Sequence, residues 1–170
     1  MKDYTLRTPL IRADVSAENT IFLKPENLQP FGSYKIRGVV KAIESASPER
    51  LKHGLYAASA GNMGQSVAFA ASLLKVPCRI YVPSAAPEIK KTAILNLGAE
   101  LIELPFQEIW EMVRKPPQVD GLFFHPVLTE GLQKGYGSIG HEILEDLPSV
   151  DAVVIPFGVG GLSLGLAKEL

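Results

Sequence analysis

Three short stretches carry residue types from which chemistry can be built: "SYKIRG" at 33–38, "SAGNMGQ" at 59–65 and "PFGVGGLSLG" at 156–165. In the first, Lys35 opens a run in which Ile36, Val39, Val40 and Ile43 recur at helical spacing. The start of a helix disfavours a cation. The position therefore suits an amine held neutral, its pKa brought down from ~10.4 by the helix N-terminus, nearby Arg37 and partial burial. A neutral lysine amine attacks carbonyl carbon and forms a Schiff base. The plainer alternative is a solvated surface lysine, which is what most lysines are.

In the third stretch an apolar run leads straight into Gly158, Gly160 and Gly161, and a helical pattern then begins. Glycines let backbone N–H groups approach an anion closely, and a helix N-terminus adds positive potential, so the loop suits a phosphate. It also suits a tight strand-to-helix turn with nothing bound. Leu162 and Ser163 follow Gly161 directly, so the spacing is not G-x-G-x-x-G, and no lysine follows to make a P-loop. The second stretch offers Ser59, Asn62 and Gln65, with Gly61 and Gly64 permitting close backbone approach. Its amides suit a carboxylate or a ring oxygen. Alternatively Ser59 or Asn62 is simply a helix N-cap.

Other chemistries lack their residues. His53, His125 and His141 have no metal-ligand spacing, and Cys78 is the sole cysteine, so neither a metal centre nor a disulfide framework is expected. No G-x-S-x-G elbow is present. Net charge is −1 with both signs interspersed, which gives no footprint for nucleic acid. The opening residues hold no apolar signal core, and no apolar run approaches the ~18 residues of a membrane span. The expectation is a cytoplasmic chain in a reducing compartment.

The elements that must position these stretches alternate. Apolar runs at "NTIFLKPEN", "GLYAAS", "CRIYVPS", "AELIEL", "GLFFHPV" and "VDAVVIPFG" read as strands. The segments "SYKIRGVVKAIESA", "GNMGQSVAFAASLLKV", "APEIKKTAILNLG", "FQEIWEMVRK", "GSIGHEILEDL" and "GLSLGLAKEL" read as helices. Ser33 is a plausible N-cap, Gly98 a C-terminal stop, and Pro116-Pro117 a loop. Such alternation predicts an α/β fold with a parallel sheet.

Taken together and in this order, "SYKIRG", "SAGNMGQ" and "GVGGL" resemble the motifs of the fold-type II (β-family) pyridoxal-phosphate enzymes, and within them the threonine/serine dehydratases and serine racemases. "LKPENLQPFGSYKIRG", "VPSAAPEIKKTAILNLGAELIEL" and "GYGSIGHEIL" extend the resemblance from "RTPL" to the last residue. It implies a tryptophan-synthase-β-like α/β fold of three-layer parallel sheets and two small interleaved domains. Residues 1–53 would begin the large cofactor domain, 54–125 form the small α/β domain, and 126–170 return to the large one. It implies pyridoxal 5′-phosphate as cofactor, carried on Lys35 as the catalytic lysine. Gly158, Val159, Gly160, Gly161 and Leu162 would hold its phosphate and Asn62 its ring hydroxyl. Ser59, Ala60, Gly61, Asn62 and Gln65 would take the substrate carboxylate, and Phe31 or Tyr34 would pack near the ring.

The implied activity is an ammonia-lyase that turns L-threonine, L-serine or a related β-hydroxy amino acid into a 2-oxo acid. Racemases of the family resemble one another in a second serine where this chain has Ala60, which favours dehydration; a racemase or β-replacement synthase remains the alternative. The chain departs from the family at Val159, where a glycine run is usual, and at Tyr136, where dehydratases more often have Gln. The stretch from Leu104 to Leu122 is also short. The family's C-terminal half, with the group facing the pyridine nitrogen, has no counterpart in these 170 residues. A homo-oligomer or a complementing chain is thus an expected partner, and an inactive fragment a further alternative. No membrane or nucleic-acid partner is expected.

Overall fold

The structure, a computed structural model, describes residues 4–15, 18–129 and 131–170. Near the N-terminus β1 (Ile11–Ala13) pairs antiparallel with β2 (Ile21–Leu23), Ile11 opposite Leu23. This antiparallel pair lies outside the four-stranded parallel sheet. Two single-turn 3-10 helices, Glu26–Leu28 and Pro30–Gly32, then lead to α1 (Lys35–Ser45). A short α2 (Pro48–Lys52), capped by the Ser47 hydroxyl on the Arg50 amide, follows.

The alternating segment comes next: β3 (Leu55–Ala58), α3 (Asn62–Leu74), β4 (Cys78–Pro83), α4 (Glu88–Leu95), β5 (Glu100–Leu104), α5 (Phe106–Arg114) and β6 (Leu122–Phe124). The four strands form one parallel sheet in the order β5-β4-β3-β6, with Leu55 in register with both Cys78 and Leu122. Leu55, Ala57, Ile80 and Val82 alternate onto one face. They join Val67, Ala70 and Ala71 of α3 and Ile94 of α4 in the core. Gly98 takes φ +84° after α4, as a helix stop requires, and 116–119 is loop.

The chain ends on α6 (Leu132–Asp146), which packs on α1, and α7 (Gly161–Leu166), which packs on α6. The α1–α6 crossing is close because Gly135 faces it: a Cβ there would stand 2.3 Å from the Arg37 carbonyl oxygen. Buried Tyr136 fills the adjoining space between α1 and α7.

One expected strand is not formed. Residues 151–157, within "VDAVVIPFG", are irregular, with Val154 97% and Phe157 79% exposed. A strand exists through hydrogen bonds to a neighbour, and none of the described strands lies beside this segment. No helix is long and apolar enough to cross a membrane among the described residues.

Candidate active site

Lys35 is the first residue of α1. The chain enters that helix through Phe31, whose φ of +61° is rare outside glycine, and Gly32. Ser33 is extended (φ −159°, ψ 145°), and its hydroxyl lies 3.4 Å from the Lys35 amide; Tyr34 is already helical. Ser33 therefore makes the expected contact two residues on, at a long distance.

The Lys35 side chain is half-buried. Its Nζ hydrogen-bonds the Tyr34 hydroxyl, lies 4.0 Å from the Tyr34 ring centroid and 5.5 Å from that of Tyr136. The two rings meet edge-to-face, centroids 5.0 Å apart. Burial brings the Lys35 pKa down to about 8. The direction matches the expectation from sequence, but Arg37 is not its cause. That guanidinium, 5% exposed, is committed to Glu26 (Nε–Oε2 2.7 Å, Nη2–Oε1 2.8 Å) and Glu142 (Nη1–Oε1 2.6 Å, Nη2–Oε2 3.0 Å). Its positive charge is answered on the far side of α1. Lys24 adds a third contact to Glu142 at 2.6 Å. This buried network was not foreseen from sequence.

Across a cavity of about 210 Å³ from Lys35 stands the glycine loop. Tyr34, Lys35, Pro126, Pro156 and residues 158–163 line it. Gly160 takes φ +89°, open to glycine at no cost. Gly161 is pinned against Pro126, whose carbonyl oxygen a Cβ would meet at 2.2 Å. Val159 is not among the residues of positive φ, so its side chain is tolerated there. The amide of Leu164, donating to the Gly160 carbonyl at 2.9 Å, makes the first rung of α7. The amides ahead of it are left for another acceptor.

The 59–65 loop stands at the C-terminal end of β3, where α/β sheets place ligands. Ser59 Oγ accepts from the Gly61 amide at 3.2 Å, Gly61 itself is the N-cap of α3, and Asn62 is exposed. Neither Ser59 nor Asn62 caps the helix. This loop does not line the cavity that Lys35 shares with residues 158–163. The structure thus brings together the lysine and the glycine loop in one cavity, and Ser59, Ala60, Gly61, Asn62 and Gln65 are not among its lining residues.

A larger cleft of about 810 Å³ lies elsewhere, between Ala42, Arg50, Pro117 and His125. Its buried histidine is fully engaged: Nδ1 accepts from the Val127 and Leu128 amides (3.1 and 2.9 Å), and Nε2 faces the Val113 carbonyl at 2.7 Å. No cluster suited to a metal occurs among the described residues. Cys78 is buried, its thiol pushed up to about 12 by burial.

A half-buried amine of lowered basicity, facing a backbone cradle in an α/β chain, is an arrangement that can hold a phosphate-bearing carbonyl compound on a lysine. The whole chain, residues 1–170, matches the family described as pyridoxal-phosphate dependent enzyme, and it belongs to that family. It is 43% identical over 176 residues to an L-threonine ammonia-lyase of Thermotoga maritima, a match covering 100% of this chain and 44% of the relative. It is 36% identical to a serine racemase of Bos taurus, covering 98% of this chain and 53% of the relative. The solved structure of the processed form of threonine deaminase isoform 2 from Solanum lycopersicum superposes with a TM-score of 0.85 at 34% identity, over 99% of this chain and 48% of that one. The chain thus spans about half the length of the relatives it matches.

The cofactor of the family is pyridoxal 5′-phosphate, and the residues present fit it. The cavity joins the amine to the loop, and at Gly158 a Cβ would project into open space with nothing within 4 Å. The clearest addition to the sequence reading is Tyr136. Sequence marked it only as a departure from the family, whereas the structure sets its ring beside Tyr34 and Lys35.

Proposed function

We propose that this chain carries pyridoxal 5′-phosphate on Lys35 and serves the removal of ammonia from L-threonine, L-serine or a related β-hydroxy amino acid. The observation that carries this reading is the single cavity shared by the Lys35 amine and the 158–163 loop. Residues 158–162 would hold the phosphate through backbone amides, Asn62 the ring hydroxyl, and Ser59, Ala60, Gly61 and Gln65 the substrate carboxylate. When bound, the cofactor supplies an electron sink for the bond broken at the substrate Cα. Lys35 Nζ, neutral in about a tenth of molecules at pH 7 for a pKa of about 8, takes the proton from Cα and returns one toward the departing β-hydroxyl. The amino acid loses water across Cα–Cβ and regains it in the hydrolysis that frees ammonia, leaving the 2-oxo acid. Ala60 has no hydroxyl with which to protonate the opposite face, which favours this outcome over racemisation.

A second reading has a complementary chain complete the site. The exposed Val154 and Phe157 of an irregular segment with strand-like composition favour it, because a strand supplied from outside would give that segment a neighbour to pair with.

Borohydride reduction in the presence of pyridoxal phosphate, followed by peptide mapping, tests the reading. One adduct on Lys35, absent in Lys35→Ala, is expected, with 2-oxo acid formed from threonine or serine. Adducts scattered over many lysines would overturn it. A clean Lys35 adduct without 2-oxo acid would direct attention to the two-chain form.

A further inference from the structure

We propose that Tyr34 is a positioning residue for Lys35: its hydroxyl, with the faces of the Tyr34 and Tyr136 rings, holds the lysine amine whenever that amine is not bonded to cofactor. The proposal rests on the reading of Lys35 as the cofactor lysine. A lysine in that role is free before cofactor arrives, and again each time a substrate amine displaces it. A free, flexible, half-buried amine then needs a defined place from which to return.

The geometry supplies one. Nζ is hydrogen-bonded to the Tyr34 hydroxyl and lies within the ~6 Å over which an aromatic face attracts a cation, at 4.0 Å for Tyr34 and 5.5 Å for Tyr136. No carboxylate forms an ion pair with Nζ among the described residues, and nearby Arg37 is occupied by Glu26 and Glu142. The charged groups closest in sequence therefore leave Nζ to the two tyrosines. Burial raises the pKa of both phenols, so they stay protonated and uncharged. The Tyr34 oxygen accepts from the ammonium form, and its O–H donates to the free amine, so the contact survives the loss of the proton. Tyr136 is 1% exposed, and its ring lies between Gly38 and Gly161. The second wall of the holding site is thus closely packed.

The two hydrogen-bonded forms are not equally stabilised. A bond from an ammonium is roughly twice as strong as one between neutral groups. Removing the Tyr34 oxygen while keeping its ring therefore costs the charged form more, and the amine should lose its proton more easily.

The test uses the cofactor-free full chain and its Tyr34→Phe variant. Each lysine's reactivity toward a trace amine-acylating reagent is followed against pH by mass spectrometry. The other lysines are internal references for an intact fold. In Tyr34→Phe the midpoint of the Lys35 profile is expected to fall by about half to one pH unit, with the reference lysines unmoved. An unchanged Lys35 midpoint, or a rise, would overturn the proposal. Because the readout needs neither cofactor nor turnover, it can fail while the Lys35 adduct forms normally, and can succeed even if that adduct never forms.

Discussion

Gly158 and Gly161 belong to one loop yet should respond oppositely to a single methyl group. At Gly161 a Cβ would lie 2.2 Å from the Pro126 carbonyl oxygen, and must move about 0.8 Å to reach the 3.0 Å below which real Cβ contacts are essentially absent. The obstacle is backbone, so the displacement falls on the start of α7 or on the turn after β6. Overpacking of this kind costs about 1–3 kcal/mol. With a slope of about 2–4 °C per kcal/mol for a chain of this size, Gly161→Ala should melt roughly 2–12 °C below the parent. At Gly158 the added Cβ meets nothing, and φ is not positive. Gly158→Ala should therefore melt within about 0.5 kcal/mol of the parent, while its methyl intrudes on the cavity and reduces the yield of reducible Lys35 adduct. Thermal melting by circular dichroism and borohydride trapping on the same preparations read both effects. If Gly161→Ala melted with the parent, or the two variants fell together, close packing on Pro126 would not be the reason for glycine there.

The Arg37 network gives a second contrast. Glu142→Gln leaves Arg37 and Lys24 facing Glu26 alone, one buried positive charge in excess, and should cost about 3–5 kcal/mol in urea denaturation. Glu145→Gln, at an exposed pair with Arg7, should cost less than about 1 kcal/mol. Burial pushes the Glu142 carboxyl up, but hydrogen bonds from Arg37 and Lys24 outweigh it and hold the group below its ordinary value. Its contribution is therefore complete above the unfolded pKa of about 4.3 and is lost as pH falls through the lower folded value. Burial brings Lys35 down to about 8, so at pH 7 its neutral fraction is about a few hundred times that of a lysine of pKa 10.5, and it should be acylated faster than the surface lysines, by less than that ratio because a less basic amine is a weaker nucleophile. Because its folded value lies below its unfolded one, stability should rise as pH climbs from about 8 to about 10.4; equal reactivity of Lys35 and the surface lysines would contradict both statements.

What the sequence made legible was local. The spacing of Ile36, Val39, Val40 and Ile43 marks α1 because those four side chains are buried on one stripe. Gly160 and Gly161 mark the cradle because a φ of +89° at the first and the Pro126 carbonyl against the second admit little else. What depended on distant partners stayed hidden. Arg37 was read as a neighbour that depresses Lys35, whereas its charge is met by Glu142, 105 residues away. "VDAVVIPFG" has the composition of a strand, but composition cannot supply a neighbouring strand. Phe31 at φ +61° stayed hidden too, since the Pro-Phe-Gly order does not say that a left-handed conformation extends beyond the glycine. The 59–65 loop, strong in motif, falls outside the cavity of Lys35, a relation between elements that no spacing within either one encodes.

The order of the sheet also bears on how the chain acquires its site. Pairing β3 with β4 brings together residues some twenty positions apart, whereas pairing Leu55 with Leu122 closes a loop of about 67. Longer closures are entropically dearer, so β6 is the strand whose pairing with β3 costs more closure entropy than that of β4. Pro126, against which Gly161 rests, follows β6 directly. The cradle facing Lys35 thus depends on the costlier of these two closures, and a ligand that binds only the assembled cradle offsets that cost by mass action.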